Sequence, residues 1–227
     1  PASARLVIAE TITNLLAADI EKLKDITISA NWMCASDEKT ELSKLYYMVE
    51  TIGLNICPKL GINIPVGKDS MSMKTIWRNE EDNCFYETIS PTTLISTGTS
   101  KVKDTRKTLT PYLKKGKGTI LLLIDLGLSK NRLGGSILDQ VTSTSLGEAP
   151  DIDKIEALIE LFNVMRALRA QNLILAYHDR SDGGLFTTIA EMAFGGRTGV
   201  SLEIPESFSM TSFLLNEEIG VVIQVEK

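Results

Sequence analysis

Histidine is all but missing from this 227-residue chain, with His178 alone, and cysteine is scarce, with three. The cysteines, Cys34, Cys57 and Cys84, are odd in number, far apart and never in C-x-x-C spacing. Neither a zinc site nor a disulfide framework is indicated. Reduced thiols of a cytoplasmic protein are the simple reading. Cys57 lies far along the chain from the one histidine, so a cysteine nucleophile is disfavoured as well. A basic excess is also absent: 24 Lys and Arg stand against 29 Asp and Glu, a net charge of −5. No nucleic acid and no membrane surface is expected as a partner, because both need a basic face. The longest apolar run, Ile120–Leu128, is interrupted by Asp125 and is too short to span a bilayer. No signal peptide is read at the start, where Pro1 leads straight into a helical pattern. What remains is ordinary for a globular protein, 43% apolar and 23% charged, in a length that suits one large domain or two small ones.

The apolar spacing predicts a helix over about Ala4–Lys24, carried by Leu6, Ala9, Leu16 and Ile20. A short strand is expected at Ile26–Ala30. A second helix is expected from Asp37 to about Ile56, opened by Ser36 or Asp37 and closed by Pro58 and Gly61. Ile62–Val66 reads as a strand that ends in a polar loop, Gly67–Ser70. Met71–Arg78 and Phe85–Ile89 read as a hairpin, and Pro91 confines the next strand, Thr92–Gly98, to an edge or a fresh start.

Lys101–Lys117 is basic, poor in apolar residues and contains Pro111 and Gly116. It is read as a connector, with a lobe of residues 1–112 before it and one of 113–227 after. The second lobe is expected to hold a strand at Thr119–Asp125, a helix over Asp153–Gln171 and a buried strand at Asn172–Tyr177. A polar loop at His178–Gly183, a helix at Gly184–Phe194 and strands at Val200–Ile204 and Ile219–Val225 complete it. Strands mixed with crossover helices give an α/β or α+β class in two layers. The missing initiating Met and the strand-like final residues suggest a piece of something longer, with each lobe truncated. Cut lobes of this kind would leave strand edges unpaired and self-association is expected.

Three segments carry residues suited to chemistry. Glu10 and Asn14 lie four apart on one helical face, so a carboxylate and an amide carbonyl can address one spot. Such hard oxygens suit Mg²⁺, although Glu10 taken alone reads as a solvent-face residue. His178–Gly184 stands between a strand and a helix, where α/β folds place ligands. There Asp179 or Asp182 can ligate a cation and Ser181 can bond a nucleotide. Gly183 and Gly184 let backbone amides approach an anion; the less favoured alternative is that Ser181 or Asp182 does no more than cap the helix. His178 reads as a structural hydrogen-bonding residue more than a base. Gly67-Lys68-Asp69-Ser70 resembles a phosphate-binding loop but fails the Walker A spacing. Lys68 and Asp69 still offer charge to an anionic ligand.

Taken in order, Glu10–Asn14, Ser29–Met33, Pro65–Met73, Asn131–Ser136, Tyr177–Leu185 and Asn216–Gly220 resemble the second synthetase repeat of the large, single-chain formylglycinamidine ribonucleotide synthases. The resemblance covers nearly the whole chain, and the collinear succession is more specific than any one run. It implies an ATP-dependent ligase of the class that includes aminoimidazole ribonucleotide synthetase, another member of which is the alternative. Two synthetase repeats are followed in this family by a glutaminase that supplies ammonia. ATP activates the formyl amide oxygen of formylglycinamide ribonucleotide as an iminophosphate, and ammonia displaces it. By the same resemblance Glu10, Asn14 and Asp179 would ligate Mg²⁺ and Ser181 would contact ATP or ADP. A preceding aspartate that completes the family's metal site would lie upstream of Pro1. The family also has two related nucleotide sites, one turning over and one holding a nucleotide structurally. The auxiliary one is the preferred reading here, as a non-catalytic nucleotide scaffold.

Overall fold

The computed structural model describes residues 1–116 and 118–227. Lys117, at the end of the expected connector, lies outside the described residues. The first helix, α1 (Ala2–Leu15), buries Ala4, Ile8, Ala9 and Ile12 on one face. It stops earlier than its apolar spacing implies. Ile20 and Leu23 are buried, but from a turn and a short 3-10 helix, Leu23–Asp25. The connector takes the carbonyls that a longer helix would use. Leu109 donates its N–H to Ala17 O and Lys103 donates to Asp19 O, both at 2.8 Å.

The chain continues through β1 (Thr27–Met33), α2 (Lys39–Glu50), α3 (Cys57–Leu60), β2 (Asn63–Ser70), β3 (Lys74–Arg78), β4 (Phe85–Ile89) and β5 (Thr93–Thr99). The second helix does not close at Pro58. A π turn, Thr51–Ile56, widens the ladder ahead of it, and Pro58 sits in the first turn of α3. A proline inside an α-helix clashes with the carbonyl four residues back, which this widening relieves. Gly61, at φ +66°, ends the run as expected. Gly67–Ser70 is strand rather than loop. Its parallel pairing with β1 runs on through Asn31↔Lys68, Trp32↔Asp69 and Met33↔Ser70. Polar side chains are tolerated there because this edge strand is largely exposed. The hairpin forms as β3–β4, and β5 takes the other edge of a β2-β1-β5 sheet, as Pro91 requires.

The second half contains β6 (Thr119–Asp125), α4 (Ile137–Thr142), α5 (Glu156–Ala170), β7 (Ala176–Arg180), α6 (Gly184–Gly196), α7 (Met210–Leu215) and β8 (Gly220–Glu226). The sheet order is β6-β8-β7, with β8 antiparallel to both neighbours. Two expectations fail here. The strand placed at Asn172–Tyr177 begins at Ala176, where the chain first pairs with Gln224 of β8, and runs through His178, Asp179 and Arg180. Val200–Ile204 forms no strand. Its residues line a cleft of about 660 Å³ over Leu121 and Leu123 instead of pairing with the sheet edge. The expected mixed α/β class holds. One apolar core joins the halves, with Ile8, Ile12 and Ile28 in the same cluster as Leu158, Met165, Tyr177 and Ile223. Helix α1 packs on β5 and on β7. Gly98 allows the close approach, since any side chain there would meet Thr11 and Leu15. No described helix is long and apolar enough to cross a membrane.

Candidate functional site

Helix α1 and strand β7 bring Glu10, Asn14 and Asp179 together across the two halves. The Asn14 amide donates to Asp179 Oδ2 at 3.2 Å and to Glu10 O at 3.1 Å. Tyr177, fully buried two residues earlier on β7, donates its hydroxyl to Thr13 O at 2.5 Å. That bond fixes the register between α1 and β7. Burial pushes the Glu10 carboxyl up from its usual range, and the negative charges of Asp179, Asp182 and Glu217 push it the same way. Among the described residues the protein cation beside these carboxylates is His178, whose Nδ1 lies 3.4 Å from Asp179 Oδ1, while Glu10 pairs with none.

His178 is tied down rather than free to act as a base. Nδ1 lies 2.7 Å from Asp179 O, and Nε2 lies 2.7 Å from the Glu191 carboxylate. Hydrogen bonding to Asp179 outweighs burial and raises its pKa to about 9, with Glu191 adding to the rise. Arg180, completely buried, donates to Glu218 O at 2.5 Å, to Ile219 O at 3.3 Å and to Asp125. Asp125 sits on β6, so Arg180 laces the ends of all three strands together.

At the turn into α6, Gly183 has φ +79° and any side chain would run into Thr187. Only glycine suits this position. The Gly183 amide, read from the sequence as open to phosphate, donates to Glu217 Oε1 at 2.8 Å. The same oxygen accepts from Ile137 N at the start of α4, at 2.9 Å. Glu217 thus supplies an internal anion to two helix starts. Gly184 N bonds Ser181 O at 2.9 Å, and the Ser181 hydroxyl has no protein partner among the described residues. Asp182 is exposed beside them.

Lys68 and Asp69 are not brought to this cluster. They lie on β2, separated from β5 by β1, two strand spacings or about 10 Å away. Cross-strand alternation puts Asp69, with Trp32 and Leu94, on the sheet face that α1 covers, and Lys68 on the opposite face.

Other residues matter that only their place in the sequence runs hinted at. Arg132 grips Glu218 through Nε–Oε1 at 2.6 Å and NH2–Oε2 at 2.8 Å. It also donates to Asp151 O at 2.7 Å and Asp153 Oδ2 at 3.0 Å. Arg5 of α1 binds both oxygens of Asp151, at 2.8 and 2.5 Å. Asn216 donates to Asn131 Oδ1 at 3.2 Å. The Asn131–Ser136 and Asn216–Gly220 runs therefore clasp each other and hold the Gly183 turn. The spacing of Arg132 and Glu218 gave no sign that they pair.

Mg²⁺ suits this donor set only in part. The oxygens are hard, and His178 offsets the charge at Asp179 but not at Glu10, which leaves negative charge that fits the ion. Among the described residues, no three His, Cys, Asp or Glu side chains are gathered closely enough to enclose a metal. The set fits an ion that shares its shell with water and phosphate oxygens, and does not fit a closed protein cage.

Residues 1–101 match the FGAR-AT PurM_N-like domain, and residues 116–227 match the AIR synthase related protein, C-terminal domain. Among solved structures, Thermotoga maritima PurL complexed with FGAR is 13% identical, with a TM-score of 0.62, over 98% of this chain and 34% of that one. Escherichia coli HypE, a hydrogenase maturation protein, is 16% identical, with a TM-score of 0.61, over 99% of this chain and 65% of that one. HypE in complex with ATP is 15% identical, with a TM-score of 0.62, over 99% and 63%. At these identities the likeness is one of fold. The chain spans about a third of the PurL chain and about two thirds of the HypE chains.

Proposed function

From a chain that joins a PurM-like N-terminal domain to an AIR synthase related C-terminal domain, and so belongs to the AIR synthase superfamily, we propose that the Glu10–Asn14–Asp179 cluster binds a Mg-nucleotide. In this reading Glu10, Asn14 and Asp179 face the ion, and Ser181 and the Gly183 turn face the nucleotide. The observation that carries it is the Asn14–Asp179 contact, which gathers carboxylates from both halves into negative charge that His178 offsets only at Asp179. Bound there, Mg²⁺ would offset phosphate charge. The chain's own part is to orient. Tyr177 pins α1 to β7, Glu217 and Arg132 hold the turn, and His178 fixes the Asp179 backbone. Lys68, on a separate strand edge, is left to an anionic part of a ligand, and Asp69, on the opposite sheet face, takes no part in that contact.

The wider protein is read as the ligase that makes formylglycinamidine ribonucleotide from formylglycinamide ribonucleotide, ATP and glutamine-derived ammonia in purine biosynthesis. The order of the motif runs and the kind of domain matched by residues 1–101 support this. The nucleotide is tested by calorimetry with ATP and ADP, with and without Mg²⁺. Asp179→Asn is expected to cost about tenfold or more in Mg-nucleotide affinity. No Mg-dependent binding by the unaltered chain overturns the reading. Turnover is read in a protein carrying both synthetase repeats and the glutaminase. If the site is auxiliary, Asp179→Asn strips bound nucleotide but leaves turnover per folded molecule largely intact. If it is catalytic, kcat falls on the order of a hundredfold.

A further inference from the structure

A second cleft lies at the junction of the halves, away from Glu10 and Asp179. It has a volume of about 360 Å³ and is bounded by the Asp19–Glu21 turn, the connector and the end of α5. Lys103, Lys107, Arg166 and Arg169 line it. Among the described residues none of these four has a carboxylate within ion-pair distance, whereas Arg5, Arg106, Arg132 and Arg180 all do.

Arg169 is the anomaly. It is 5% exposed, its guanidinium donates to the Leu16 carbonyl, and its Nε has no hydrogen-bond partner. Burial draws its pKa down, opposed chiefly by the charge of Asp19. A buried charge left unpaired is costly and calls for a counter-ion. The acids nearby do not supply one. Asp104 is engaged by Arg106 through two bonds of 2.9 Å. Asp19 and Glu21 line the same cleft, but neither carboxylate reaches a guanidinium or an ammonium within ion-pair distance among the described residues. Glu21 meets Arg166 only through its backbone carbonyl, at 3.1 Å.

We propose that this junction cleft is an anion site, taking a phosphate or pyrophosphate group between Arg169, Arg166 and the connector lysines Lys103 and Lys107. Its occupant would draw one wall from each half and one from the connector. The inference is independent of the nucleotide reading, since it shares no residue with that cluster. Asp19 is the internal competitor, so it gives the proposal a sharp control.

The test is calorimetry of the full chain with sodium phosphate and pyrophosphate, without Mg²⁺. Saturable binding in the low-millimolar range or tighter is expected. Lys103→Ala/Lys107→Ala, both exposed positions that keep the fold, is expected to weaken it about tenfold or more. Asp19→Asn is expected to tighten it and leave stability unchanged. Affinity untouched in the double-lysine variant, or no saturable binding in the parent chain, overturns the proposal. So does an Asp19→Asn variant that loses stability without gaining affinity, because Asp19 is then the partner of Arg169.

Discussion

Glu218 and Glu10 stand at the two extremes of how this molecule treats a carboxylate. Glu218 is wholly buried, meets Arg132 through both oxygens and sits in a chain of pairs that reaches Arg5 through Asp151. Glu10 is half-buried, feels the negative charge of Asp179, Asp182 and Glu217, and has no cation within ion-pair distance among the described residues. Both are acids at the meeting of the two halves. The paired one closes the structure on itself. The unpaired one leaves a charge debt that only something from outside can settle, which is why the second is read as a site and the first as a clasp.

The comparison breaks first at the clasp. Arg132→Met leaves the buried Glu218 carboxyl without its partner, and a loss of about 3–5 kcal/mol in unfolding free energy is expected by urea denaturation. A loss under 1 kcal/mol would mean the pair is no more than a surface bridge. Glu10→Gln is expected to do the opposite. Removing one of several like charges should leave the ligand-free chain at least as stable, while Mg-nucleotide affinity drops about tenfold. A destabilised ligand-free variant would make Glu10 structural and erase the contrast.

The smallest effect concerns a third acid, Glu41, away from both. Its carboxylate takes bonds from Lys44 at 2.6 Å and from the Thr92 amide and hydroxyl at 2.7 and 2.9 Å. Lys44 is the main cause, with Thr92, of a pKa lowered to about 2. A depressed acid stabilises the fold above its unfolded pKa and loses that contribution as pH falls through the folded one. Between about pH 4.5 and 2, acid-unfolding curves of Glu41→Gln should therefore be shallower than those of the parent chain. Curves of equal slope would remove Glu41 from the account.

Much of this was legible in the sequence because periodicity is a local signal. Glu10 and Asn14 share a helix face, and α5, α6, β6, β8 and the hairpin all follow their apolar spacing. The misses have a common cause in partners distant along the chain. Asp179 and Arg180 have poor strand propensity, yet β8 pairs them and Asp125 neutralises the arginine. Lys68–Ser70 looked like a loop because its polarity hid the ladder offered by β1. The Gly183 amide looked vacant because nothing local announces that Glu217, 34 residues on, accepts from it.

The apolar cluster that runs from Ile8 through Met165 to Ile223 has a mechanical consequence. Helix α1 belongs to the first half by sequence, but its buried side chains are shared with the second. Pulling the halves apart would expose the buried face of that helix to water, so a hinge between them would come only at high cost. The connector divides the chain in sequence, yet with a shared core the two halves should come undone in a single step. A cut in the connector would then yield two peptides that stay together until the whole assembly melts.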